Sequence, residues 1–195
     1  MQIRIASLPP ERLTHDALVE GFFSEDPRLT PYGQRIDACL AGALRRLLAR
    51  DGIEGAFREH VLVAATAPRR LPGILLVGLG SPPEVTYERL YETGYRAAQT
   101  LDALHFRRDA IHVPVDRRCG LTVAGMTEAI VTGFFDFFAK TMDWGSPLPD
   151  VVIDEGRMDE ALAGLYAFRE RVANVLALEI VRDDRGGKRS SRTGA

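Results

Sequence analysis

The sequence predicts an α/β fold, a three-layer sandwich whose mixed, mostly parallel sheet is flanked by helices. Two observations carry this. Several segments are continuous apolar runs, such as VLVAA and ILLVG, the mark of strands buried on both faces. Between them lie apolar stripes at i, i+3, i+4 and i+7, the spacing of a helix face packed on a core. Strands alternating with helices of this length make parallel units covered on both sides.

In chain order, Gln2–Ser7 and Asp16–Phe23 read as the first two strands. Ile36, Cys39, Leu40, Ala43, Leu44, Leu47 and Leu48 then form a helical stripe. His60–Ala65 and Ile74–Gly78 read as strands, and Tyr87, Leu90, Tyr91, Gly94, Ala98 and Leu101 as the next helix face. Ala110–Val115 is the fifth strand, followed by a helix through Val123, Met126, Ile130, Phe134 and Phe138. Val151–Asp154 is the sixth, followed by a helix through Met158, Leu162, Leu165, Phe168 and Val172. Residues 173–181 (ANVLALEIV) fit a helix extension or a short strand equally well. Residues 1–181 are expected to form one domain. Residues 182–195 carry almost no apolar side chains and are expected to be a disordered tail, having little to bury against the entropy of ordering.

The totals narrow the function classes. A 195-residue chain with 46% hydrophobic and 27% charged residues is ordinary for a globular protein. A net charge of −2 supplies no field toward nucleic acid or an anionic membrane. Lysine and arginine in the tail are offset by Asp183 and Asp184, with no interleaved aromatics for base stacking. The two cysteines, Cys39 and Cys119, stand in separate segments, which argues against a disulfide framework and for a reducing cytoplasm. The N-terminus lacks a signal peptide's apolar run, and no stretch reaches the roughly 18 apolar residues of a membrane span.

The segment ILLVGLGSPPEVTYERLYETGYRAA, from Ile74 to Ala98, resembles the N-terminal, non-catalytic domain of the leucyl (cytosol) aminopeptidase family. DALVEGFFSEDPRLTPYGQRIDACLAGAL, from Asp16 to Leu44, is similar to the family's order of strand, acidic loop and helix with a GA step. IEGAFREHVLVAA, from Ile53 to Ala65, resembles its glycine-containing lead-in to a strand, and EAIVTGFFDFFAK, from Glu128 to Lys140, one of its helices. The matches run from about Asp16 to Val172 in the right order. The resemblance implies a macro-domain-like fold. It also implies that chemistry belongs to a separate metal-binding domain, which in the family follows directly. Its lysine-containing stretch and clustered acidic ligands have no counterpart here, so no catalytic residue, metal or cofactor is expected.

Candidate binding residues follow from position in the fold. Gly78, Gly80 and Ser81 form a glycine turn between a strand and a helix, where backbone amides can cradle a phosphate. The competing reading is a tight turn that needs glycine, and it is preferred, since an isolated GxG is weak evidence. Cys119, Gly120 and Thr122 form a second loop after a strand, at the edge where open α/β sheets place ligands. Arginines beside Cys119 could lower its pKa, though a lone loop cysteine is more often incidental. Macro domains bind ADP-ribose through an aspartate-led strand. Asp16, Ala17, Leu18 and Val19 echo its start, but Glu20, Gly21 and Phe22 stand where asparagines are expected, and acidic Glu20 opposes a diphosphate. The histidines, His15, His60, His105 and His112, are scattered without zinc spacing and read as structural. Asp150, Asp154, Glu155, Asp159 and Glu160 suit the positive end of a helix dipole.

Phe134, Phe135, Phe137 and Phe138 place four aromatics in five positions. They cannot share one stripe, so Phe134, Phe135 and Phe138 are candidates for an interface. The leading expectation is a free-standing, non-catalytic binding or assembly module that associates as a dimer or with a separate aminopeptidase subunit. The alternative is a binder of a small molecule or nucleotide at the two loops. An aminopeptidase by family name alone is the third reading.

Overall fold

The computed structural model describes residues 1–50, 52–64, 71–141 and 148–183. Among the described residues, seven strands and five α-helices follow one another along the chain. They are β1 (Gln2–Ala6), β2 (Ala17–Phe22), α1 (Pro31–Cys39), α2 (Ala43–Leu48), β3 (His60–Val63), β4 (Gly73–Gly78), α3 (Tyr87–Ala103), β5 (Asp109–His112), α4 (Val123–Thr141), β6 (Asp150–Val152), α5 (Met158–Val172) and β7 (Glu179–Asp183). One seven-stranded sheet has the order β3-β4-β2-β5-β6-β1-β7. All pairings are parallel except β3 with β4. The mixed, mostly parallel sheet read from the sequence is the one observed.

The continuous apolar runs are explained by where their strands lie. β2 and β4 are neighbours inside the sheet, and every residue of both is buried. Alternate side chains then serve two cores. Val19, Leu75, Val77 and Ile111 join α3, α4 and α5 on one face. Leu18, Phe22, Ile74 and Leu76 join Tyr32, Ile36, Leu44 and Leu48 of α1 and α2 on the other. The three layers are therefore two unequal helical layers around one sheet.

Three boundaries differ from the periodicity. The stripe from Ile36 to Leu48 is two helices, because Ala41 and Gly42 take positive φ of 53° and 78° and break the helix between them. The undecided segment 173–181 leaves α5 and enters β7, which pairs parallel with β1 from Gln2↔Glu179 to Ala6↔Asp183. Arg182 and Asp183, assigned to the tail on composition, are thus the end of an edge strand. Edge position explains why a charged pair is tolerated there. The rest of the expected tail, 184–195, lies outside the described residues, as does Ala65 at the end of the expected third strand.

The helical layer of α3, α4 and α5 is unusually close-packed. A Cβ on Gly94 of α3 would stand 2.0 Å from the carbonyl oxygen of Ile130 on α4. One on Gly133 of α4 would stand 1.9 Å from that of Tyr91 on α3. The two helix backbones touch, and only glycine fits at the crossing. Gly164 of α5 makes the same approach to Ala124 of α4, at 2.2 Å.

Candidate functional site

The C-terminal ends of β2, β4, β5 and β6 converge with the loops that follow them. In parallel α/β sheets this edge is where ligands bind, and both candidate loops lie on it.

The glycine turn after β4 has little to offer a phosphate. The amide of Gly78 donates to Glu59 O at 2.8 Å, that of Leu79 to Phe22 O at 2.8 Å, and that of Gly80 to Gly55 O at 2.9 Å. All three successive N–H groups are engaged, fastening the turn to the end of β2 and to the loop before β3. The Ser81 hydroxyl donates to Glu25 Oε1 at 2.5 Å. The glycines have structural reasons. A Cβ at Gly78 would stand 2.1 Å from Ala56 O, and Gly80 has φ of +79°. The preferred reading of this turn, a tight connection needing glycine, accounts for its geometry.

The second loop is tied down in a similar way. The Arg118 guanidinium meets Asp116 at 2.9 Å, donates to Asp26 O at 3.0 Å and Pro27 O at 2.9 Å, and covers the Phe23 ring at 5.1 Å. Cys119 is 8% exposed. Burial, and then the Asp116 carboxylate, push its thiol up to about 11, against the opposing effect of Arg118. The arginine therefore does not make a reactive thiolate. Gly120 has φ of 66° and ends the short turn Arg117–Cys119. The Thr122 hydroxyl accepts from the Gly125 amide at 3.2 Å at the start of α4 and lies 3.1 Å from Tyr87 Oη. The fold does bring the two loops together. Residues 24–27 bridge them, Ser24 and Glu25 toward Gly80 and Ser81, Asp26 and Pro27 toward Arg118.

On the sheet face covered by α1 lies a buried charged group that the sequence reading did not assemble. Glu20 of β2 is 0% exposed. Its Oε2 lies 2.9 Å from His112 Nδ1 of β5, and its Oε1 accepts from the Thr30 hydroxyl. His112 Nε2 lies 3.7 Å from Asp154 Oδ2, just beyond β6, and Asp154 Oδ1 is 2.7 Å from the Arg35 guanidinium of α1. The Tyr32 ring stacks on the imidazole, and its hydroxyl donates to Leu8 O at 2.9 Å. Neither His112 nitrogen makes an aligned hydrogen bond among the described residues, so its contacts with the two carboxylates are ionic. Burial alone would lower the imidazole pKa. Glu20 and then Asp154 outweigh it, and the net result is a rise to about 9. Burial alone would raise Asp154, and His112 and Arg35 reverse that, holding it below the ordinary aspartate value.

One signal for this group was present in the sequence. Glu20 and His112 are ionisable residues inside otherwise apolar runs, ALVEGFF and AIHVPV. The parallel register runs through Val19↔Ile111, which places them side by side one residue later. That register is not available from a single strand. Asp154, read as a helix-dipole carboxylate, serves the imidazole and Arg35 instead.

The aromatic helix face does not present the expected interface. Phe134 is 1% and Phe135 6% exposed. Phe135 packs edge-on against Phe168 of α5, with ring centroids 5.6 Å apart. Phe138 is partly buried against Phe134 and Phe137 in the same core. Helices on two sides of α4 accommodate what one stripe could not. Among the described residues no three His, Cys, Asp or Glu side chains converge as a metal-binding group, and no helix is long and apolar enough to cross a membrane.

These features define an α/β domain of the macro-domain type. An Oceanobacillus iheyensis macrodomain variant superposes with a TM-score of 0.64 at 15% identity, over 86% of this chain and 92% of that one. A tomato leucine aminopeptidase variant superposes with a TM-score of 0.57 at 19% identity, over 88% of this chain but 36% of that one. Residues 19–136 match the N-terminal domain of the cytosol aminopeptidase family, and the chain belongs to that family. A probable cytosol aminopeptidase of Nitrosococcus oceani is 31% identical over 103 residues, 53% of this chain. The match covers 20% of that relative's length.

Proposed function

We propose that this chain is a non-catalytic binding or assembly module of the cytosol aminopeptidase type, associating with a separate aminopeptidase subunit or with a second copy of itself. The observation that carries the reading is the engagement of the Gly78, Leu79 and Gly80 amides by carbonyls of the fold. A diphosphate ligand would need such amides free. With the ligand edge tied up internally, the outer surface is left to act. The family match supports the module role, since it falls in the N-terminal domain.

The test combines association, turnover and ligand binding. The purified chain is run on size exclusion with light scattering, alone and mixed with the aminopeptidase subunit of its own source. Co-elution, or a two-chain mass at tens of micromolar, is expected. A single-chain mass in both runs overturns the reading. Leucyl amide hydrolysis with manganese or zinc is expected to equal a blank. Calorimetry with ADP-ribose is expected to show no heat. An affinity of about 10 µM or tighter, near −7 kcal/mol, would instead make this a nucleotide binder.

A further inference from the structure

The first two turns of α1 are fastened to three neighbouring elements of the sheet by three side chains. Thr30, at its N-cap, donates to Glu20 of β2. Tyr32 covers His112 of β5, and Arg35 pairs with Asp154 beyond β6. β2, β5 and β6 are adjacent in the sheet, so the helix spans their ends. The four charged groups balance only while the imidazole carries its proton. Glu20 and Asp154 contribute two negative charges, and Arg35 and imidazolium two positive ones. Removing the proton leaves a net negative charge, with one carboxylate 0% exposed beside a neutral ring. An uncompensated buried charge is strongly unfavourable.

We propose that His112 is held as an imidazolium and works as a proton-operated latch, whose deprotonation releases the first turns of α1 from the ends of β2, β5 and β6. The groups facing the imidazole are Glu20 from β2, Asp154 from the end of β6, and Tyr32 from α1, with Arg35 of α1 paired to the same Asp154. Glu11, from the turn Pro10–Arg12, acts on Tyr32. Tyr32 does not ionise in the working range, because burial and then Glu20 push its hydroxyl far up. Asp154 is held low. The imidazole is therefore the member of the group that changes charge on the alkaline side.

The test is a nitrogen-15 NMR titration of the full chain from pH 5.5 to 10, with His112 assigned by the signals missing in His112→Gln. Both ring nitrogens are expected to stay imidazolium-like at pH 7.5 and to titrate near 9. Amide exchange across 31–39, corrected for base catalysis, is expected to rise at least about tenfold over the same midpoint. β2 and β4 should not follow. A ring that titrates at the ordinary histidine value, or α1 exchange that ignores the titration, overturns the proposal. Asp154→Asn should move both the ring midpoint and the onset of α1 exchange to lower pH, and an unmoved midpoint also overturns it. Should that variant not fold, Arg35→Gln gives the opposite sign at a half-exposed site. Its midpoint should rise, and a fall or no change counts against the latch.

Discussion

Tyr32 lies nearly flat on His112, with ring centroids 4.4 Å apart and planes 17° apart. The Arg35 guanidinium also sits over the phenol ring, at 4.8 Å from its centroid. A cation close to an aromatic ring is favourable when it carries its charge. The phenol thus joins the ionic group to the apolar core of α1 and α2, in which Tyr32 is fully buried.

The first prediction is loss of stability at alkaline pH. The folded His112 value is raised from 6.5 to about 9. A raised value stabilises fully below the unfolded pKa, and the contribution disappears as pH climbs through the folded one. Unfolding free energy from urea titrations should therefore fall between pH 6.5 and about 9, by a few kcal/mol at most. Asp154, held low, acts with the opposite sign. Its contribution is present above the ordinary aspartate value and is lost as pH drops through the folded one. His112→Gln should flatten the alkaline limb.

The second prediction concerns the glycine crossing. Gly133→Ala forces a Cβ to within 1.9 Å of a backbone oxygen that cannot move without its helix. A loss of about 3 kcal/mol is expected, at the upper end of overpacking effects. Gly120→Asn, in open space at φ +66°, should cost under about 1 kcal/mol, since asparagine tolerates that backbone region. Chemical unfolding of the two variants side by side makes the comparison.

The third prediction separates core from interface. Phe135→Glu places a carboxylate where the side chain meets Phe168 between α4 and α5. The variant should unfold, or lose several kcal/mol, rather than change mass while remaining folded. Circular dichroism and light scattering on the same sample distinguish these results. A folded protein that has only lost a partner would put Phe135 at a contact surface after all.

The fourth prediction is chemical. Cys119 is buried, with a thiol pushed up to about 11. Alkylation by iodoacetamide at pH 7.5 should be at least about a hundredfold slower in the native protein than in urea, because thiolate is the reacting species. Mass spectrometry of the peptide containing Cys119 reads the rate. Rapid native labelling would mean that the turn Arg117–Cys119 opens readily.

The sequence by itself determined the layers, the sheet's direction and the family. Continuous apolar strands require cover on both faces, and helix-period stripes supply that cover, so hydrophobic spacing alone specifies the α/β arrangement. The glycine turn after β4 was also legible, since Gly78 and Gly80 already named a tight connection. What only the tertiary structure decided depends on register and on contacts distant in the chain. The seventh strand exists because Gln2–Ala6 offers residues 179–183 an edge to pair with, and local composition cannot reveal a partner so far away. Phe134 and Phe135 became core because α5 closes over a face that a lone helix would expose. The Glu20–His112–Asp154 group appears only when three strands are set side by side. Each residue alone looks like an ordinary structural side chain or helix-end carboxylate. Their shared burial makes them one charged unit, because electrostatic interaction strengthens where water is excluded.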